Sequence, residues 1–428
     1  MSIWSFIREK KANRLLSLRR RQGYGQNLTS NDQVKLRRSR LFLIFLWLRI
    51  KRFPKDVKLR KLAKAFLCRH ILMSYAPVIN FDSLVNNHIT IEHFGETIKR
   101  DLRFEADHIR LLITELKFPD TVTFDNRIRM SGEEVFLRGL YELVTGNLKH
   151  IIANFFGRDF SCQVRAFSYF IDHIYNNFHH LVHNNLQWWY RNGFWEKSAA
   201  AIERKMSQRY PTEELNVVSH FIDCNCLETT VPGGGPAESG ANAARWDVLI
   251  QRAFYNGWKS IHGMKHQTVD NAYGMTEDIC GPTSLRRNDL AVLRRSNIND
   301  RFAALQHSGD IQYIIFGDSA YKKKSHITSY KKFQDMNRSQ VHWNKSMKHV
   351  RISIEWNYGV TGSLFRYVRY KDKFKLMKSR KVSKIYTVAT LFRNFHIALY
   401  GGQSSNYFDL VIPDDMLIHY IRNQDFDA

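Results

Sequence analysis

The chain has 428 residues, 44% of them hydrophobic and 25% charged, enough apolar material to bury a full core in two or three domains; a disordered polyelectrolyte is excluded. Five cysteines (Cys68, Cys162, Cys224, Cys226 and Cys280) form no CxxC pair, which excludes a disulfide framework or a zinc knuckle and fits a reducing compartment. The net charge of +25 is clustered, with +17 over residues 1–69, +15 over residues 321–384 and a mildly acidic remainder, the distribution of a protein that meets a polyanion at defined places.

Residues 1–69 read as a basic arm built on LSLRRRQ and KLRRSRL, clusters that serve equally as nuclear import signals or as phosphate-gripping tails. Its apolar run Leu41 to Leu48 is far below the roughly 20 residues needed to cross a bilayer. A surface-lying arm with Trp47 and Phe53 inserted into a membrane is the alternative. The expected setting is intracellular, in the nucleus, without a membrane anchor.

From 70 to 210 the pattern is helical and rich in aromatics. Ser131-Gly-Glu-Glu134 predicts a capping box, opening a helix with the apolar stripe Val135, Phe136, Leu140, Leu143 and Val144 and ending at Gly146. A short helix with Leu148, Ile151, Ile152 and Phe155 on one side follows. After Gly157 a third helix starts near Asp159 or Ser161 and buries Val164, Phe167, Phe170, Ile171 and Ile174. This order, over about 131–176, is the helix-turn-helix plan, whose last helix would offer Gln163, Arg165 and Ser168 to DNA. An ordinary trihelical packing unit produces the same pattern.

Beyond Pro211 the periodicity turns strand-like. Val217 to Ile222 and Ile311 to Phe316 are β-rich runs that deliver Asp223 and Asp318 at their carboxyl ends, where α/β sheets place functional groups. Between them lie a Gly/Pro/Ala-rich loop, TTVPGGGPAESGANAA, which lacks the lysine of a phosphate cradle, and a hairpin strand over Lys265 to Val269. Glu355 follows in a helical pattern with Arg351 one turn before it. Carboxylates from separate elements are what two-metal phosphodiester chemistry needs, since hard oxygen ligands hold Mg²⁺ or Mn²⁺ ions roughly 3.5–4 Å apart. Each Asp taken singly also fits a turn or cap. Lys322, Lys323 and Arg366, in the second basic zone, are placed to grip substrate phosphates. Cys224 and Cys226, with Cys280 and His262 or His266, lack zinc-ligand spacing and read as core or loop thiols.

The order FID, GDSAY, RISIEWNYG and TLFRNFHIAL resembles the PIF/Harbinger superfamily of DDE transposases and their domesticated relatives, over roughly residues 80 to 400. The resemblance implies an RNase H-like α/β catalytic domain, a mixed sheet flanked by helices, over 211–402, preceded by an all-α helix-turn-helix region and followed by an acidic tail over 403–428. It implies Asp223, Asp318 and Glu355 as catalytic metal ligands for two Mg²⁺ or Mn²⁺ ions, with Asp289 as an auxiliary acid. It also implies cleavage at transposon ends, 3′-hydroxyl strand transfer, a Myb-like DNA-binding partner and a homo-oligomer on DNA. The alternatives are a domesticated DNA-binding regulator and a host nuclease without transposition. The first motif departs from the family's IDGTH-like string, reading Ile-Asp-Cys-Asn-Cys, and Asn288-Asp289 stands where His-Asp is common.

Overall fold

The computed structural model describes residues 89–428 except 126, 210–216, 233–240, 308–310, 322, 333–335, 376–380 and 427–428. The basic arm, Lys322 and the centre of the Gly/Pro/Ala-rich loop therefore lie outside the described residues.

Two helices, α1 (Ile98–Leu102) and α2 (Ala106–Glu115), lead through a small hairpin, β1 (Thr121–Thr123) with β2 (Arg129–Ser131), into the predicted trihelical stretch. Its helices are α3 (Gly132–Thr145), α4 (Lys149–Phe155) and α5 (Phe160–Phe178). Ser131 caps α3 by accepting from the Glu134 amide, and Gly146 ends it in the left-handed region at φ 61°. Ring contacts of Phe136 and Phe170 with Phe392 join these helices to the body of the protein, so the trihelical unit shares one hydrophobic core with the sheet described next.

The sheet is approached through α6 (Leu186–Arg191) and α7 (Phe194–Arg209). Its strands are β3 (Val218–Glu228), β4 (Tyr255–Asn256), β5 (Ile261–Asn271), β6 (Thr276–Ser284), β7 (Ile314–Gly317) and β8 (Ile327–Thr328). Helix α8 (Ala241–Phe254) precedes β4, and α9 (Asp289–Ser296) and α10 (Ile298–Ala303) separate β6 from β7. Strand β5 pairs antiparallel with β4, β6 and β3, while β3, β7 and β8 run parallel. A mixed sheet of this kind, flanked by helices, is compatible with the expected RNase H-like domain.

Alternation along β3 decides the layers. Phe221 faces a core made with Ile202 and Met206 of α7 and with Trp343, Met347, Val350 and Ile354 of α11 (Arg338–Leu364). Ile222 faces the opposite core, which includes Phe392 of α12 (Val382–Tyr400). A capping box between Asn337 and Gln340 fixes the start of the 27-residue α11. Residues 403–428, expected as a tail, carry α13 (Gln403–Tyr407) and α14 (Met416–Arg422), and Met416, Leu417, Tyr420 and Ile421 are buried in the main core. Among the described residues no helix is long and apolar enough to cross a membrane.

Candidate active site

Asp223 is placed by strand pairing. The sequence predicts it at a strand's carboxyl end, but β3 continues five residues further, because β5 pairs with it as far as Glu228. The parallel partner β7 stops at Gly317, opposite Ile222. Asp223 thus sits mid-strand on one side of β3 and at the open end of the parallel half on the other, where Asp318 follows Gly317. Glycine is required at 317 because a Cβ there would lie 2.7 Å from the Tyr321 ring. The Asp318 carboxylate accepts from the Ala320 amide at 2.8 Å and is fixed in its turn.

Helix α11 brings the third acid. The Arg351 guanidinium donates to Asp223 Oδ2 at 2.8 Å and to Glu355 Oε1 at 2.9 Å, bridging two of the three predicted carboxylates. The Asp223 carboxylate and the guanidinium are largely enclosed, whereas the Glu355 side chain is 56% exposed. The guanidinium is therefore a cation held between carboxylates at a half-open site. Its Nε is buried without a hydrogen-bond partner.

Burial pushes the Asp223 carboxyl up to about 6; the nearby charges of Asp318 and Asp289 add to the rise, and Arg351 and the Cys224 amide oppose it. Asp289, the first residue of α9, is tied to Lys265 Nζ at 2.7 Å. Two phenols complete the walls. Tyr358 shares a 2.9 Å hydrogen bond with Thr268, the β5 residue directly across from Asp223. Tyr321 OH lies 3.4 Å from Cys224 Sγ. Neither was singled out from the sequence, although Tyr358 falls at i+3 from Glu355 and i+7 from Arg351 and so shares their helix face.

The donor set, three carboxylates of which Asp223 is raised chiefly by burial, suits a hard divalent cation. Among the described residues, however, no three His, Cys, Asp or Glu side chains stand close enough together to hold one ion as they are placed. Asp223 and Glu355 are instead joined through Arg351.

The expected DNA-contact residues divide. Gln163 is fully buried, donating to Glu142 at 2.8 Å and accepting from Arg138 at 3.1 Å, so it cannot face DNA. Buried Arg138 and Glu142 on α3 demand a polar partner, and Gln163 supplies it. On α4, Leu148, Ile151 and Phe155, expected inside, are exposed and only Ile152 of that set is buried; on α5, Phe167, Phe170, Ile171 and Ile174 are buried as expected and only Val164 of that set is exposed. Ser168 accepts from Lys381 Nζ. Arg165 is half-buried, with its Nε unpartnered. Lys323 and Arg366 are exposed. The four cysteines within the described residues are free, and His262 and His266 lie on β5, consistent with the strand context.

Comparison with curated proteins and with solved structures gave no match. Residues 242–394 match the model of the DDE superfamily endonucleases, a stretch that contains Asp289, Asp318, Arg351 and Glu355 and begins after Asp223. This match supports a DDE transposase-like nuclease family for the chain.

Proposed function

We propose that this protein is a metal-dependent DNA endonuclease of the transposase type, related to the PIF/Harbinger group, with Asp223, Asp318 and Glu355 as its metal ligands. The observation that carries the reading is the meeting of Asp223, at the open end of the parallel strands, with Glu355 of α11 around one cationic group, beside Asp318. Such a cluster is unfavourable for stability alone, because it buries the Asp223 carboxylate and sets it near the charges of Asp318 and Asp289.

Bound Mg²⁺ or Mn²⁺ would lower the pKa of a water and stabilise charge on the leaving oxygen. The three carboxylates would hold the ions, and Arg351, released from them, would face the substrate phosphate. Attack of water oxygen on phosphorus breaks the P–O3′ bond and frees a 3′-hydroxyl at the element's end. That hydroxyl then attacks a phosphodiester of the target, exchanging one P–O bond for another. Lys322, Lys323 and Arg366 would hold phosphates, and Asp289 would support the site through Lys265. On α5, Arg165 would contact DNA. Nuclear location, a Myb-like partner and a homo-oligomer on DNA belong to the same reading.

The rival reading, a regulator that binds DNA without cutting it, has the closed Asp223–Arg351–Glu355 bridge in its favour. Cleavage decides between them. Wild-type protein should nick DNA carrying the element's ends when Mg²⁺ or Mn²⁺ is added. Asp223→Asn, Asp318→Asn and Glu355→Gln should each abolish nicking while gel shifts on the same DNA stay nearly unchanged. Cutting at the wild-type rate by all three variants would end the proposal.

A further inference from the structure

Trp258 is 95% exposed, at the tip of the tight β4–β5 hairpin. An indole left in water contributes little to folding, and what sets this one apart is the set of exposed cations that accompanies it on a fixed turn. The tip is a fixed element. Lys259 N donates to Asn256 Oδ1 at 2.9 Å, and Ser260 is held at φ 55°. Asn256 Nδ2 in turn donates to Leu285 O at 2.9 Å, which pins the turn bearing exposed Arg286 and Arg287 against the hairpin's base. Arg252, in the last turn of α8, and Lys259 are also exposed. Lys259 Nζ lies 3.2 Å from Cys226 Sγ, on the strand that carries Asp223. The nearby acid Glu228 is already engaged by Lys371 at 3.4 Å.

The hairpin projects from the catalytic end of the sheet. Asp223 is paired with Thr268, and the hairpin's strand begins seven residues earlier, at Ile261. That separation is roughly 23 Å at ~3.3 Å per residue, or about seven steps of a DNA strand at ~3.4 Å each. An aromatic anchor for a protein partner would sit within an apolar surround. Exposed Tyr255, Val248 and Leu249 lie in the same region, but four exposed cations, Arg252, Lys259, Arg286 and Arg287, accompany these rings, the combination that stacks a base and grips its phosphates.

We propose that the Trp258 hairpin is a DNA-end clamp: the indole stacks on an unpaired base about seven nucleotide steps from the catalytic carboxylates, and Lys259, Arg252, Arg286 and Arg287 hold the flanking phosphates. This rests on the DNA-cleaving reading above but is tested without cleavage. Fluorescence anisotropy of the full-length protein in EDTA would compare three labelled DNAs: a blunt duplex, the same duplex with an unpaired 3′ end of about ten nucleotides, long enough to span that separation, and the single strand. Wild type should prefer the frayed duplex to the blunt one. Trp258→Ala should bind the frayed and single-stranded DNAs about tenfold more weakly and the blunt duplex unchanged, while Trp258→Phe keeps most of the preference. Adding frayed DNA should also shield the accessible tryptophan emission from acrylamide in wild type and leave Trp258→Phe unaffected. Equal binding of frayed DNA by Trp258→Ala and wild type overturns the clamp. So does a change in sedimentation of Trp258→Ala with DNA affinity unaltered, which would assign the indole to a contact between chains. If wild type binds none of the three DNAs, the DNA reading falls and takes the clamp with it; a Trp258 effect without metal-dependent nicking would leave the clamp and remove only the endonuclease.

Discussion

Helix α11 carries two polar clusters within two turns of each other, and they are built on opposite terms. At Asn357 the side chain donates to Asp270 Oδ2 at 2.8 Å and accepts from Ser404 at 2.9 Å. Arg393, fully buried, reaches the Asn357 carbonyl at 3.4 Å and Thr361 Oγ1 at 3.3 Å and also donates to Thr276. Water is excluded there, and the acid and the base neutralise each other. At Arg351 the same pairing of arginine with carboxylates opens toward solvent, includes an exposed Glu355 and leaves Asp223 beside Asp318 with its carboxyl pushed up. A buried network that is richly bonded fixes helix against sheet; a half-open, crowded one keeps charge available for a ligand.

The sharpest way to break this contrast is to treat the two arginines alike. Arg393→Met should cost about 3 kcal/mol or more in urea unfolding, because it leaves Asp270 buried without its cation. If Arg393→Met proves neutral, the closed cluster is not what fixes α11.

A smaller effect, opposite in sign, is expected at the open cluster. The folded Asp223 carboxyl titrates at about 6, above its ordinary value of 3.8, so its contribution to stability is fully present below about 4 and is lost as pH rises through about 6. Asp223→Asn removes that loss. Without metal, the variant should therefore melt about 2 °C or more above wild type at pH 7.5, and the gap should close toward pH 4. A gap independent of pH would show that Asp223 is not strained by its own charge.

Much of this site was legible from residue order. The apolar runs before Asp223 and Asp318 and the spacing of Arg351 with Glu355 reflect local periodicity, which a sequence displays directly. What escaped depends on pairing between distant segments. The extension of β3 to Glu228 is dictated by β5, which makes Asp223 a mid-strand residue. On α5 the stripe Phe167, Phe170, Ile171 and Ile174 lies inside as its spacing predicts, but Val164 is exposed, and Gln163, expected outward, is taken inside by Arg138 and Glu142 from another helix. The clue was present in α3, where Arg138 and Glu142 stand one turn apart among apolar neighbours. Trp258 gave no periodic signal at all, since only its exposure sets it apart.

The most direct test of the central claim is the number of Mn²⁺ ions bound, measured by electron paramagnetic resonance on the full-length protein saturated with DNA. Wild type should bind Mn²⁺ tightly at pH 7.5 and progressively less well as the pH falls below about 6, where Asp223 takes up a proton. Asp223→Asn and Asp318→Asn should lose that binding at equal DNA occupancy. The same stoichiometry and affinity in wild type and in both variants would contradict the account, because the metal would then be held by other residues.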